Sequence, residues 1–517
     1  MQGKKQFTEK LFTNFQLSER VPVENFYRCL KQVLHLQWLY KATKKYYGTE
    51  GQQSIDPIVF FKLMLIGYLE NLGSDRRIIN TVSLRLDMLF FIGYDIDEPL
   101  PWHSTLSRTR QLYGEELFKQ LFKDVLKQCI DKGMVAGRRQ VMDSVAVKAN
   151  AGMDSLVKKQ ILDDSGMYAD ELNSEAENQD DKGNDITNTK TVSAARNKAV
   201  QLHHQWKAKA YKDMPKGKSL TKGDEGSRPK FVSNHTHYST TDPDARVSVK
   251  PGKPRQLNYT AQVSVDTAHH VITQVQTDHA DKRDSQCLPS LVNNTIDNLA
   301  EQGLQVEEVY ADTGYSSGEA LQSLEQNNIV GYIPNFGQYK PSREGFSYDK
   351  QNDRYTCSRG VHLPFKKLTT TSLGYQMEVY RSSAKDCGPC PLRSVCIGKS
   401  DFKKIDDSID KPLYDRMHAR LQTVSRERIR QLRSSTVEPV LGTLVNYLAM
   451  RRVNTRGIKQ AAKCILMSAV AYNLKKLMKW ENRKIKVIAM TKLKETENTL
   501  KNFVLTIFRY LRYQIAL

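Results

Sequence analysis

Three acidic residues stand at positions where a protein can do chemistry. Asp143 lies in Val141–Asn150, whose valines and methionine are typical of a buried strand. Asp312 ends a second short apolar stretch, and Glu438 precedes Pro439, a residue favoured in the first turn of a helix. An ionised carboxylate is costly to bury without a partner. Asp143 must therefore be hydrogen-bonded, solvated at a strand end, or holding a metal.

Two acids at strand ends and a third on a helix would suit a two-metal phosphodiester site. Mg²⁺ prefers oxygen ligands and keeps several waters, so a few carboxylates suffice. Two such ions, about 3.5–4 Å apart, stabilise both the attacking and the leaving oxygen. The alternative for each acid is a helix cap or a surface carboxylate. That alternative is strongest for Glu438, because acids are favoured in a first helical turn, and Glu427 is the substitute to consider.

Three sequence blocks carry these acids, namely VMDSVAVKANAGMDSL, YADTGYSSGEAL and VEPVLGTLVNYLAMRRVNTRG, followed by AYNLKKL. In this order, with a helical N-terminal region and a cysteine cluster, they closely resemble the acidic blocks of bacterial insertion-sequence transposases with a DDE catalytic domain. The resemblance extends over most of the chain, from Asp56 to Leu477. It implies that Asp143, Asp312 and Glu438 are catalytic ligands of two Mg²⁺ or Mn²⁺ ions, with Asp143 bridging both.

The resemblance also implies an activity and its partners. Such a protein binds the terminal inverted repeats of its element as double-stranded DNA, cleaves a strand, and uses the freed 3′-hydroxyl to attack target DNA. We expect a homodimer on DNA, because two ends are cut in one complex. Two other functions stay open: an RNase H-like nuclease that cuts without joining strands, and a domesticated DNA-binding derivative.

The composition favours a polyanionic partner. The 517 residues hold 78 Lys and Arg against 57 Asp and Glu, a net charge of +21. Nucleic acid is the first candidate, although charge alone fits a merely basic soluble protein equally well. No segment reaches the roughly 18 uninterrupted apolar residues of a membrane span, and no N-terminal signal is visible. Eight cysteines in so long a chain do not indicate a secreted disulfide scaffold. We expect a bacterial cytoplasmic protein, associated with the nucleoid, with no membrane partner.

Residues 1–135 are predicted to form an N-terminal helical DNA-binding domain. Asp56 and Pro57 are typical of a helix cap and first helical residue, and apolar residues then recur on one face. A second helix is predicted over residues 75–91 and a third from His103 to residue 129. Arg108 and Arg110 are candidate phosphate contacts, or else ordinary surface charges.

The catalytic core is predicted from residues 138–152, 255–334 and 433–480. Tyr259–Val265 and Val271–Thr277 alternate apolar and polar residues and should form an antiparallel hairpin after the Asp143 strand. A helix, the strand that ends at Asp312, another helix and a last strand follow. This order predicts an α/β fold with a mixed sheet. The resemblance makes that sheet RNase H-like.

Three segments fall outside this core. Residues 153–254 contain too few apolar residues to pack, so we expect a polar, charged insertion or linker whose basic half could also follow a DNA backbone. Residues 481–517 are predicted to form a basic C-terminal helix. Residues 335–432 form a second insertion, which contains four clustered cysteines. A structural zinc site and free thiols that pack as small hydrophobes are both open for Cys357, Cys387, Cys390 and Cys396.

Basic residues near the acids are candidates for contact with DNA, since the planar guanidinium of arginine binds two phosphate oxygens. Many of the transposases that this chain resembles carry a lysine seven residues beyond the glutamate. This sequence has Val445 there, so Arg451 or Arg452 would replace that lysine. Besides Arg108, the predicted DNA contacts are Lys148, Asn150, Arg433, Arg451, Arg452 and Arg456.

Overall fold

A computed structural model describes residues 16–48, 50, 54–161, 191–192, 233–249, 254–337, 339–371 and 374–481. Most of the predicted polar insertion and nearly all of the predicted C-terminal basic helix lie outside these residues. The described part contains an N-terminal group of helices, a central mixed sheet with helices around it, and a smaller antiparallel sheet.

The N-terminal region is helical, as predicted, but its helices are shorter and more numerous. The predicted helix over residues 75–91 is two helices, because Arg85 is extended and pairs with Asp87 through two 2.8 Å hydrogen bonds. The predicted helix from His103 to residue 129 breaks where Tyr113 adopts an extended conformation. The helices are Leu17–Arg20, Phe26–Val33, Trp38–Thr43, Pro57–Leu69, Asp75–Val82, Leu86–Ile92, His103–Leu112 and Glu115–Asp131.

The Pro57–Leu69 helix is the centre of this region. The predicted cap is present: the Asp56 carboxylate accepts hydrogen bonds from the amides of Ile58 and Val59, at 2.6 and 3.2 Å. The helix is buried on nearly every side rather than on one face, as is typical of a helix inside a large core. In the described ranges, this and every other helix is too short or too polar to cross a membrane.

The central sheet carries the strands that bear on function. Five of its six strands are β1 (Arg139–Lys148), β2 (Gln256–Asp266), β3 (Ile272–His279), β4 (Glu308–Tyr310) and β5 (Val330–Tyr332). The sixth, the short strand Arg246–Ser248, pairs antiparallel with the start of β2. The order of the five labelled strands is β3-β2-β1-β4-β5. Strands β1, β2 and β3 are antiparallel neighbours, whereas β4 and β5 run parallel to β1. This is the RNase H-like arrangement that the resemblance implied, and the β2–β3 hairpin is where the alternating pattern predicted it.

Helices cover the sheet and join it to the N-terminal region. Asp284–Ala300 and Gly318–Gln326 connect β3 to β4 and β4 to β5, and they pack against each other. The helix over residues 458–481 holds the start of β3, where the Asn473 side chain pairs with both backbone groups of Ile272 at 3.0 and 2.9 Å. One continuous hydrophobic core runs through the N-terminal helices, the sheet and this last helix.

A side-chain contact also joins the N-terminal region to the end of a helix beyond the sheet. Asn71 donates to the Asn446 carbonyl at 3.1 Å and accepts from the Ala449 amide at 3.0 Å. Asn71 has a positive φ of 56°, a conformation that asparagine tolerates better than most residues.

The cysteine-containing insertion holds a five-stranded antiparallel sheet that the sequence did not predict. Its own small core consists of Tyr355, Leu363, Tyr380 and Ile405. The strands follow one another in chain order: Phe346–Asp349, Arg354–Cys357, His362–Thr370, Gln376–Arg381 and Lys404–Ser408. Short helices at Ala384–Cys387 and Arg393–Cys396 precede the last strand, and helices Lys411–Thr423 and Arg426–Tyr447 follow it.

Candidate active site

Asp143 lies on β1, and Asp312 lies just beyond the end of β4, the parallel neighbour of β1. Val141 of β1 pairs with Tyr310 at the end of β4. Asp143 and Asp312 each lie two residues further along. Because side chains alternate along a strand and neighbouring strands lie about 4.8 Å apart, this register places both carboxylates side by side on one face of the sheet. The sequence predicted both acids at strand ends: Asp312 follows the end of β4, whereas Asp143 lies in the middle of β1.

The Asp312 carboxylate begins a tight turn. Its Oδ1 accepts a hydrogen bond from the Gly314 amide at 2.9 Å, and the turn then buries Tyr315 completely. Burial, together with the nearby carboxylates of Asp284, Asp143 and Asp312, holds the pKa of the Tyr315 phenol well above its usual range. Tyr315 therefore stays protonated and can act as a hydrogen-bond donor beneath the acids.

Asp143 is half-buried and meets a cation from another element. Its Oδ1 accepts from the Ser144 amide at 2.7 Å, while Oδ2 lies 3.5 Å from Nη2 of Arg433. Arg433 belongs to the helix Arg426–Tyr447, which packs on β1 and β2. The Nε of Arg433 is buried and has no hydrogen-bond partner among the residues that the structure describes.

Glu438 lies on this same helix, but not at its start. The helix begins at Arg426 and contains Pro439 in its interior, so the predicted helix start before Pro439 is wrong. The proline lacks an N–H and leaves one helical carbonyl without its usual bond. Buried Val437, Val440 and Leu444 hold the helix on the sheet in spite of that loss. Glu438 is exposed, and so is Glu427 in the first turn.

These acids differ in how closely the structure assembles them. Asp143 and Asp312 come together, and Glu438 lies on a helix that packs against the Asp143 strand. Over the described ranges, no three His, Cys, Asp or Glu side chains converge closely enough to hold a metal ion. The donor set nevertheless fits Mg²⁺ in kind, because it consists of carboxylate oxygens, and the guanidinium of Arg433 shows that Asp143 accepts a cationic neighbour.

A fourth carboxylate, Asp284, was missed by the sequence analysis. A Cβ on Gly314 would lie 3.0 Å from Asp312 Oδ1 and 3.5 Å from Asp284 Oδ2, so both carboxylates approach the same point. Asp284 opens the helix that follows β3, four residues before the predicted start at Leu288. An acid in the first turn was the available signal, since acids are favoured there.

Four predicted DNA contacts are neighbours in the structure. The chain after the Glu438 helix pairs with the end of β1: the Lys148 amide donates to the Arg451 carbonyl at 3.2 Å, and Lys148 bridges to Arg452. Arg452 Nη2 in turn donates to the Asn150 side chain at 3.0 Å. Arg456 follows in the next turn and is exposed. This group forms an exposed basic surface at the end of β1.

Three other positions that the sequence singled out lie elsewhere. Arg108 is exposed on an N-terminal helix and bonds back to Ser104. Arg110 is not a surface charge: it is 2% exposed and paired with Asp75 at 2.5 Å. Val445 is partly buried against the main core, as suits an apolar residue at that helical position.

The four insertion cysteines are free thiols of intermediate exposure. Cys357 packs against the small core of the antiparallel sheet, and Cys387 lies 3.0 Å from the Ser382 hydroxyl. Cys390 and Cys396 occupy the same connection between two strands as Cys387. No zinc-like convergence is present among the described residues, so the zinc site stays a prediction.

Comparisons with known proteins place this geometry in a family. A family model described as a transposase domain (DUF772) matches residues 15–112, and one described as a transposase DDE domain matches residues 356–478. A search of curated proteins finds no match. Among solved structures, the Mos1 transposase paired-end complex with the left transposon end is 10% identical, over 61% of this chain and 73% of that chain, with a TM-score of 0.15.

That TM-score is too low to bear on the fold, which rests on the strand order described above. The DDE match spans the cysteine insertion, Glu438 and the basic turn after it. The DUF772 match spans most of the N-terminal helices. Both family models describe transposases, and together with the RNase H-like sheet between them they support a DDE transposase.

Proposed function

We propose that this transposase binds the ends of its own element and catalyses metal-dependent strand cleavage followed by strand transfer. The observation that carries the proposal is the parallel pairing of β1 with β4, whose last pair, Val141 and Tyr310, lies two residues before Asp143 and Asp312. Glu438 completes the set from the helix that packs on β1. Mg²⁺ or Mn²⁺ bound there would activate water or a 3′-hydroxyl and neutralise charge on the phosphate.

The residues of the chain itself have separate tasks in this mechanism. Asp143, Asp312 and Glu438 would supply the oxygen ligands for two ions, and the half-buried setting of Asp143 limits access of bulk water. The basic surface at the end of β1 holds the phosphate backbone of the DNA, and Arg433, which contacts Asp143, adds a positive charge beside the acids. Neither chemical step requires a nucleophile from the protein.

The proposal includes the molecular setting. The DNA partners are the terminal inverted repeats and the target duplex, and two protein copies hold the two ends as a homodimer. The N-terminal helices bind terminal DNA, with Arg108 as one contact. We place the activity in the bacterial cytoplasm, at the nucleoid. The insertion cysteines Cys357, Cys387, Cys390 and Cys396 would hold a structural zinc.

Cleavage of DNA that carries the element's own ends tests this proposal. Wild-type protein should cut it with Mg²⁺ or Mn²⁺, and Asp143→Asn should bind the DNA without cutting. Equal cleavage by both proteins would overturn the assignment of Asp143. Glu438→Gln and Glu427→Gln, measured side by side, decide which glutamate is the third ligand, because only loss of the true ligand abolishes cleavage.

Products from a target plasmid then separate transposition from the two alternatives. Joining of the cut ends to the target supports strand transfer. Cleavage without joining would indicate an RNase H-like nuclease. Binding of the ends without any cleavage by the wild type would indicate a DNA-binding derivative.

A further inference from the structure

A buried amide, Gln262, lies behind the candidate active site. Gln262 is fully buried on β2, where it pairs with Ser144, whereas Asp143 pairs with Val263. Directly opposed residues of antiparallel strands project to the same face, and successive residues project to opposite faces. The Gln262 side chain therefore lies on the face of the sheet away from the Asp143 carboxylate, so it is not placed to be a ligand beside Asp143.

One end of this amide holds the turn that carries Asp312. The Tyr315 hydroxyl donates a hydrogen bond to Gln262 Oε1. Tyr315 closes the short turn that begins at Asp312, and its ring is fully buried. A fixed Tyr315 thus limits the positions available to the backbone at Asp312, three residues earlier.

The other end of the amide is fixed by Asp284. Gln262 Nε2 donates to Asp284 Oδ1 at 2.7 Å. The second oxygen of Asp284 points towards Gly314, inside the same turn. A tyrosine donor requires the amide oxygen and a carboxylate acceptor requires the amide nitrogen, so the two partners set the amide orientation between them.

We propose that Gln262 is a positioning residue for the active site. It ties the Asp312 turn, through Tyr315, to the helix that begins at Asp284, and so keeps the Asp312 carboxylate in register with Asp143. Gln262, Tyr315 and Asp284 form what we term the rear clamp. This inference rests on the proposed function, because it concerns the metal-holding geometry of Asp143 and Asp312.

Binding of Mn²⁺ to full-length protein, followed by electron paramagnetic resonance, tests the rear clamp without relying on catalysis. Tyr315→Phe removes one hydroxyl and keeps the ring. We expect its Kd for Mn²⁺ to rise about tenfold, the lower end of the effects seen when partners of metal ligands are lost. The matched control is Tyr310→Phe, which removes the hydroxyl of a buried tyrosine on β4 that bonds to Glu308 instead.

A double variant separates positioning from stability. Tyr315→Phe alone leaves a buried amide oxygen without a donor, which destabilises the protein. Gln262→Leu combined with Tyr315→Phe replaces both of these partners by apolar groups. It also removes the amide donor to Asp284, but Asp284 is only partly buried, so the double variant should regain part of the lost Tm. The weakened Mn²⁺ binding should persist in the double variant, because the turn at Asp312 still lacks its hydrogen bond from Tyr315 to residue 262. Recovery of both Tm and Mn²⁺ affinity would mean that the rear clamp only stabilises the fold, and would overturn the proposal.

Asp284→Asn tests whether Asp284 acts through Gln262 or binds the ion itself. The asparagine carbonyl can still accept from Gln262, so Mn²⁺ affinity should stay within about twofold of wild type. A loss as large as that of Asp143→Asn would make Asp284 a ligand and overturn its positioning role. Unchanged affinity in Tyr315→Phe would overturn the clamp alone. Absence of Mn²⁺ binding by the wild type would overturn both the clamp and the proposed metal site.

Discussion

Arg433 reaches from the Glu438 helix to the first of the candidate acids, with its Nη2 atom 3.5 Å from Oδ2 of Asp143. The two side chains are 20% and 18% exposed, so the pair is only partly screened by solvent. The arginine places a positive charge against an oxygen that the proposed mechanism assigns to a divalent ion. It therefore competes with that ion in the protein without DNA.

Replacing this arginine should strengthen metal binding. An ion pair of this kind contributes about 1 kcal/mol, so Arg433→Gln should lower the Kd for Mn²⁺ about fivefold in the absence of DNA. Titration with Mn²⁺ measures the change. Arg428→Gln, an exposed arginine in the first turn of the same helix, is the control and should leave the Kd unchanged. Weaker binding in Arg433→Gln would mean that Arg433 orients Asp143 rather than competing for it.

The basic surface at the end of β1 predicts a salt-dependent effect. Arg452→Ala should weaken binding to all DNA sequences and reduce the slope of log K against log salt by about one, as expected for one lost phosphate contact. Fluorescence anisotropy at several salt concentrations measures this slope. Arg138→Ala is the control, because Arg138 is exposed just before β1, at the opposite end of that strand, and pairs with Glu307. An unchanged slope for Arg452→Ala would remove it from the interface.

The buried pair of Arg110 and Asp75 predicts a large loss of stability. Asp75→Ala would leave Arg110 as an unpaired buried cation, which should lower the free energy of unfolding by about 3 kcal/mol. Asp95→Ala, at an exposed position, should change it little. Denaturant unfolding compares the two. Replacing both partners, as Arg110→Met with Asp75→Leu, should recover much of the loss, and a failure to do so would point to a further role for the pair.

The Asp56 cap predicts a smaller effect. Asp56→Ala removes the acceptor of two backbone amides at the start of the Pro57–Leu69 helix and should cost about 1 kcal/mol. Asp56→Ser keeps a capping oxygen and should retain most of the stability. Thermal unfolding distinguishes them, and equal Tm values for the wild type and Asp56→Ala would show that packing alone holds this helix.

Buried cysteines should react more slowly than exposed cysteines. Burial raises the pKa of the Cys129 and Cys287 thiols to about 12, so at pH 8 their thiolate fraction is about a thousandfold lower than at a pKa of 9. Iodoacetamide should therefore leave both unmodified in the folded protein, and labelling of either would contradict this burial. Mass spectrometry after labelling gives the extent at each site.

The same labelling tests the predicted zinc site. Cys387, Cys390 and Cys396 are partly exposed and should react when they are free. If they bind zinc, they should react only after treatment with a chelator. Equal labelling with and without the chelator would favour free thiols.

The sequence predicted the strands and their acids better than the helices. Asp143 lies within one apolar stretch and Asp312 follows another, and the strand order brings the two stretches together. The hairpin between them showed a clear alternation of apolar and polar residues. The start of the Glu438 helix was mispredicted because proline usually marks a first turn, whereas here packing of Val437 and Val440 offsets an interior proline.

Other features depend on contacts distant in sequence. Arg110 is buried only because Asp75, 35 positions earlier, faces it across two helices. Gln262 and Tyr315 carry no local signal of function, since a glutamine in a strand and a tyrosine after a turn are common. Their importance arises from their meeting with Asp284, which follows from the sheet register and not from any motif.

Asn71 locks the N-terminal helices to the segment that follows the Glu438 helix, and the shared hydrophobic core continues that lock through the whole sheet. These contacts between described residues hold the two regions in one fixed arrangement. DNA bound by the N-terminal helices would reach the candidate acids at a fixed number of base pairs from the binding site. The distance between the two regions would then set which phosphate is cut. An element whose end was lengthened by a few base pairs would be cut at the wrong phosphate.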